Sequence, residues 1–315
     1  MKFKRNLLKV FAVLAVVSIK GLFSSCDTEL EVVQSINEEF AGINQIEIES
    51  GFLDVIYRGD ASMTTVQLDA LLESNRSGRY QIDYREEPGK LIIELDQRNI
   101  GISDRSRGYI YLTGPLEMEM DVEVGSGKAT ISNVIGDQME FSAGSGRLIV
   151  QDVTGNSIAI SAGSGDLDLV NLEGNTVIDI GSGRVTLNNL LGDISLNGSS
   201  GSFIIQDIEG MLHAKLNSGN MELSEVEQLG KLEVSSGRIN AVNSGLSALS
   251  KFNASSGNIR IQTFSALNGF NYNLQAGSGK VSVGDNSSSG NLKIDNGSPY
   301  TVSGVVSSGN IEIRN

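Results

Sequence analysis

The sequence predicts an all-β fold: a single-stranded parallel β-helix, right-handed, with about 18–20 residues per rung and a less regular β-rich part before it. Three observations carry this. A Ser-Gly dipeptide recurs at near-constant spacing, two apolar columns follow it in fixed register, and turn-forming residues stand at fixed offsets beyond those.

The Ser-Gly markers place glycines at Gly127, Gly146, Gly165, Gly183, Gly201, Gly219, Gly237, Gly257, Gly279, Gly290 and Gly309. Successive spacings are 19, 19, 18, 18, 18, 18, 20, 22, 11 and 19, so only the 11 breaks the period. Two residues after every marker stands an apolar side chain, from Ala129 and Leu148 to Ile311; four after stands another, from Ile131 and Val150 to Ile313. The column between is mostly polar, with Thr130, Asp168, Glu222 and Arg260 as examples. That alternation is a strand with one face buried. Five residues before the marker a further apolar column appears, including Phe141, Ile160, Leu196 and Phe252.

Neither short strand of a unit buries its apolar face alone, and stacking units in parallel solves this by lining each column up at about 4.8 Å. Counting ten intervals from Gly127 to Gly309 gives a rod roughly 45–50 Å long. Six residues after the marker come Asn133, Asp152, Asn171, Asn189, Asp207, Glu225 and Asn243, and nine after come Gly136, Gly155, Gly174, Gly192 and Gly210. Asn, Asp and Gly tolerate left-handed backbone, so these are corners, and the marker glycines Gly127 to Gly257 are structural turns of the same kind.

Upstream, the chain divides into a leader (1–25), a polar tether (26–39) and an irregular β-rich part (40–120), with the repeats filling 121–315. "INQIEIESGFLDVIYRG" alternates as strands do, "RYQIDYREEPGKLIIEL" reads as a hairpin about Pro88-Gly89, and "LLESNR" as a helical turn. The leader has a basic start, an apolar run too short to span a bilayer, and small residues before Cys26, the only cysteine. This pattern is similar to a bacterial lipobox, which implies acylation of Cys26 and a stable lipid anchor. A plain signal peptide followed by an unpaired thiol is the alternative. The expected location is therefore the cell envelope, as an exported, membrane-anchored lipoprotein of the outer membrane.

The leader holds five of the 24 Lys/Arg and none of the 38 Asp/Glu, which leaves 19 against 38 and a net charge of −19 after its removal. Such a surface disfavours nucleic acid.

"FAGINQIEIESGFLDVIYRGD", "VQLDALL" and "YQIDYREEPGKLIIEL", followed by SG-led units such as "SSGRINA", "SSGNIRI" and "SSGNIEI", resemble the adhesin-head domains of bacterial envelopes, also called GIN-type domains. The resemblance covers most of residues 36–315 and implies an exported β-helical fold, an adhesive role and no established catalysis.

Chemical readings of the repeats are weaker. "GSGK" at 125–128 and 277–280 leads into strand patterns and lacks the P-loop spacing. No nine-residue calcium repeat exists, although the Asp152 to Asp207 corner column offers oxygens to a cation, with Asp152 and Asp207 as candidates. A polysaccharide-active β-helix enzyme needs carboxylates in a loop-walled cleft. Asp166 and Asp168 with Asp152 are the best acidic group, and the short rungs leave no room for such loops. His213 is expected to face outward. No cofactor is called for. The expected partners are the membrane, through the lipid, and a surface protein or glycan; the end at "SSGNIEIRN" is expected to expose strand edges open to end-to-end or edge self-association. A periplasm-facing accessory or sensing role is the rival to adhesion.

Overall fold

The computed structural model describes residues 29–98 and 104–315. The leader and Cys26 lie outside the described residues. The fold is an all-β solenoid whose regular part runs through β8 (Glu119–Val124), β9 (Lys128–Ala143), β10 (Arg147–Ala162), β11 (Asp166–Leu191), β12 (Ile194–Val242) and β13 (Leu246–Gln262). Pairing is parallel and in the register of the markers: Leu148 lies between Ala129 and Leu167, and Ile160 between Phe141 and Ile178. Residues just after the markers build a first flat face, and residues just before them a second.

The apolar columns are buried, and a third one, Val134, Val153, Leu172, Leu190, Ile208 and Val226, stands seven residues after the markers between the two faces. Where Phe203 enters the core, Gly198 faces it: a Cβ on Gly198 would lie 2.5 Å from the ring. The large residue is thus accommodated by removing its neighbour's side chain.

Both ends depart from sequence order. At the N-terminal end, β2 (Gln45–Glu49) and β3 (Asp54–Gly59) form a rung against β8 and β9. Beyond them lie β6 (Lys90–Gln97) and β7 (Ser106–Gly114), also parallel. Antiparallel strands finish this end: β4 (Thr65–Ser74) on β7, β1 (Glu31–Ala41) on β4, and β5 (Tyr80–Glu87) on β6. The Gln34 side chain joins the two faces here, donating to Ile82 O at 2.8 Å and accepting from Ile82 N at 2.7 Å.

At the C-terminal end the last strand, β18 (Thr301–Arg314), pairs with β13 on one side and with β14 (Asn271–Ser278) and β15 (Val281–Val283) on the other. Antiparallel β17 (Asn291–Ile294) and β16 (Asn286–Ser288) then cover β14 and β15. The link from β13 to β14, with a 3-10 turn at Leu267–Gly269, climbs past a whole rung, which accounts for the spacing of 22.

Five expectations are corrected. The tether over 26–39 is strand from Glu31 onward, because pairing with β4 gives two apolar residues of β1, Ile36 and Phe40, a place in the core. "LLESNR" is strand through Ser74, not a helical turn, since Leu72 packs inward while β7 pairs alongside. The division at residue 120 falls inside β8, and the stretch before it supplies rungs of the same stack. "SSGNIEIRN" is no free edge, because β18 has partners on both sides; Gly290, counted as a rung marker, lies between β16 and β17. "YQIDYREEPGKLIIEL" is the expected hairpin.

Candidate interaction faces

The marker glycines form a continuous backbone ladder. A Cβ built on Gly146, Gly165, Gly183, Gly201, Gly219, Gly237 or Gly257 would lie less than 3.0 Å from the carbonyl oxygen of the glycine one rung before it, and Gly127 would meet Leu53 in the same way. The N–H groups of this corner are also taken. Gly144 N donates to Val124 O at 2.8 Å, Ser145 N to Gly125 O at 2.7 Å, and Ser164 N to Gly144 O at 2.8 Å. In "GSGK" at 125–128 the Gly125 and Ser126 N–H groups both reach Gly51 O, at 2.6 and 2.9 Å, and Lys128 N reaches Asp54 Oδ1 at 2.8 Å. A phosphate cradle requires such donors to be free, so this corner cannot serve as one.

The opposite corner holds Asn133, Asp152, Asn171, Asn189, Asp207, Glu225 and Asn243, with φ between 49° and 61°. Their side chains form a ladder of hydrogen bonds: Asn189 Nδ2 donates to Asn171 Oδ1 at 2.8 Å, and Asn171 Nδ2 to Asp152 Oδ1 at 2.6 Å. Gln151 Nε2 takes the other oxygen of Asp152 at 2.9 Å. Asp207 faces Glu225, whose carboxyl is held above the usual range by the hydrogen bond it shares with Asp207 and by that neighbour's charge. Among the described residues no group of three or more His, Cys, Asp or Glu is arranged to hold a metal ion.

Asp166 and Asp168 are already engaged. Asp168 forms an ion pair with Arg147, and Asp166 accepts the Arg184 backbone N–H at 3.3 Å. His213 stands half-buried on the second face, its Nδ1 accepting from Lys231 N at 2.9 Å, which leaves the proton on Nε2.

What the fold offers a partner is its two flat outer faces. On the first, near the N-terminal end, Tyr109 and Tyr111 of β7 stack at 4.1 Å beside Ile56 of β3. Tyr111 is 41% and Ile56 36% exposed, and Asp69 lies 3.4 Å from the Tyr109 hydroxyl. The spacing of Tyr109 and Tyr111 is visible in the sequence, but their neighbours depend on rung order, which is not.

Fold and faces define a capped parallel β-solenoid with open sheet surfaces. The chain belongs to the Toastrack DUF4097 family, matching it over residues 41–229 and again over 191–314. No curated protein matches it. Three solved structures are similar. A Bacteroides fragilis protein provisionally named an adhesin is 11% identical, with 89% of this chain and 97% of that one covered and a TM-score of 0.39. A Clostridium sporogenes protein provisionally named a cell adhesion protein is 11% identical, with coverages of 89% and 99% and a TM-score of 0.19. A Parabacteroides distasonis protein provisionally named a lipid-binding protein is 13% identical, with coverages of 90% and 97% and a TM-score of 0.42.

Proposed function

We propose that the protein is a non-catalytic cell-envelope lipoprotein of the outer membrane, anchored through Cys26, whose solenoid acts in surface attachment or as an interaction scaffold, as the resemblance to adhesin-head domains implies. The observation that carries this reading is the open first face with Tyr109 stacked on Tyr111 beside Ile56 and Asp69. Exposed aromatic rings flanked by a carboxylate on a flat sheet suit the apolar face and hydroxyls of a glycan, or a protein loop. The leader and the lone cysteine support export and acylation.

Two measurements test it. Labelled fatty acid is expected on the wild-type chain and not on Cys26→Ser, and intact cells are expected to expose the protein to added protease. Protection from protease transfers the protein to the inward-facing accessory role. Attachment of cells to glycan or protein surfaces is expected to fall at least several-fold in the Tyr109→Ala/Tyr111→Ala chain. Turnover of a polysaccharide abolished by Asp166→Ala or Asp168→Ala would overturn the non-catalytic reading.

A further inference from the structure

The second face carries a charge pattern that the first does not. One outward column, six residues before the markers, holds Asp121 and Glu140 on β8 and β9 with Glu47 of β2 in register beside them; outward of Glu47 it runs on through Ile92 of β6 to Arg85 of β5. From Glu140 it continues through Ala159, Val177 and Ser195. It then holds His213, Lys231 and Lys251, where the Lys231 backbone bonds to His213 and Lys231 pairs with Lys251, and runs on through the uncharged Ser303 and Asn273. Three acids, three small or apolar residues and three nitrogen bases thus follow one another along nine rungs, with Val177 at the centre and 45% exposed. The neighbouring column carries Glu49 and Glu123 beside the acids and Lys215 beside the bases, but also Glu233 at the basic end and Asp179 beside Val177, so the polarity rests on the first column alone. The last two are held locally: Glu233 by Lys231 at 3.0 Å, and Asp179 by Asn197 at 3.0 Å. On the first face, by contrast, Lys128, Arg147, Asp166 and Arg184 follow one another with the signs mixed.

We propose that this face is a homodimer interface: two copies pack second face to second face, antiparallel, about a two-fold axis through Val177. Reversing the column about Val177 sets Glu47 against Lys251, Asp121 against Lys231, Glu140 against the His213 Nε2–H, and Ala159 against Ser195. A parallel arrangement would put acid on acid. The single copy carries net repulsion at the acidic end, where partial burial and the charges of Glu140 and Glu47 hold the Asp121 carboxyl above its usual range. Lys90 forms an ion pair with Glu47, and its charge offsets part of the repulsion on Asp121. Nine strands at about 4.8 Å and about five residues of width give roughly 600 Å² per copy, or about 1,200 Å² in all. That is the lower limit for specific complexes, so the dimer depends on charge complementarity.

The antiparallel arrangement places the two β1 ends at opposite ends of the pair. As an account of attachment this rests on the function proposed above, since anchors pointing apart would bridge two surfaces; the interface itself does not rest on it. The test uses the Cys26→Ser chain in solution, whose self-association is read by analytical ultracentrifugation. It is expected to be dimeric at tens of micromolar. Asp121→Lys and Lys231→Glu each set two like-charged pairs across the axis and are expected to raise the dissociation constant about 100-fold. The doubly substituted chain, and an equimolar mixture of the two single variants, are expected to return to within about tenfold of the starting value. A monomeric starting chain, single variants that dimerise undiminished, or failure of both the double variant and the mixture to recover would each overturn the proposal. Because the readout needs no anchor and no cell, its failure leaves the attachment reading standing.

Discussion

The middle of the solenoid and its two ends solve different problems with the same repeat. In the middle each rung sees two nearly identical neighbours, so backbone meets backbone at every corner and phenylalanines such as Phe141, Phe203 and Phe252 fill the core. At the ends the largest fully buried residues are tyrosines instead. Tyr57 donates its hydroxyl to Pro115 O at 2.6 Å, and Tyr272 donates to Leu267 O at 3.0 Å. Those carbonyls belong to the irregular links that let the chain leave its rung order, where no neighbouring strand pairs with them. A repeat satisfies its backbone by symmetry; an end satisfies it with side chains.

The contrast breaks most severely at a middle corner. Gly219→Ala drives a Cβ into the Gly201 carbonyl at φ 135°, and is expected to cost more than about 4 kcal/mol, read as failure to fold or a collapsed denaturation midpoint. Gly269→Ala, at the C-terminal end with nothing within 4 Å, is expected to stay within about 0.5 kcal/mol of the parent. The tyrosines make the ends selectively sensitive to alkali. Burial pushes the Tyr272 hydroxyl up to about 12 and raises Tyr57 further still. The unfolded chain loses these protons near pH 10, before the folded one does, so stability is intact below about pH 10 and falls as pH rises toward 12. Hydrogen exchange at pH 11 is expected to speed up at the ends first, and Tyr272→Phe to remove that end's share.

Smaller effects sharpen the comparison. Gln34→Ala leaves both backbone groups of Ile82 without their partner and is expected to cost about 1–3 kcal/mol. Because stacked rungs couple chiefly to their neighbours, the loss of exchange protection should be confined to β1, β5 and β6. Glu225→Asn replaces a residue poorly suited to its φ of 55° and removes the repulsion from Asp207. A small rise in the midpoint of chemical denaturation is the expected result.

The middle of this molecule is legible in its sequence because local and tertiary demands repeat together: the columns after the markers predict the core, and Asn133 to Asn243 occupy the left-handed corners their chemistry favours. The ends are not legible, because local preference is silent on spatial order. "SSGNLKI" and "SSGNIEI" are nearly the same phrase, yet Gly309 continues the glycine ladder and Gly290 has nothing within 4 Å. The strand at Glu31–Ala41 reads as tether because an outermost strand needs few apolar residues. Glu47 joins the charge column only once β2 is placed beside β8, because it precedes its partner Asp121 by 74 positions.

The insertion of β18 between β13 and β14 bears on how the chain is made. Synthesis delivers the N-terminal residues first, so β14 and β15 emerge before the strand on which they must dock. Until residues 301–314 arrive, the growing rod presents the bare edge of β13, and a chain cut short anywhere in its last turn keeps it. Arrival of β18 and closure of the rod are therefore the same event, and a protease or chaperone that recognises open β edges can tell closed molecules from open ones.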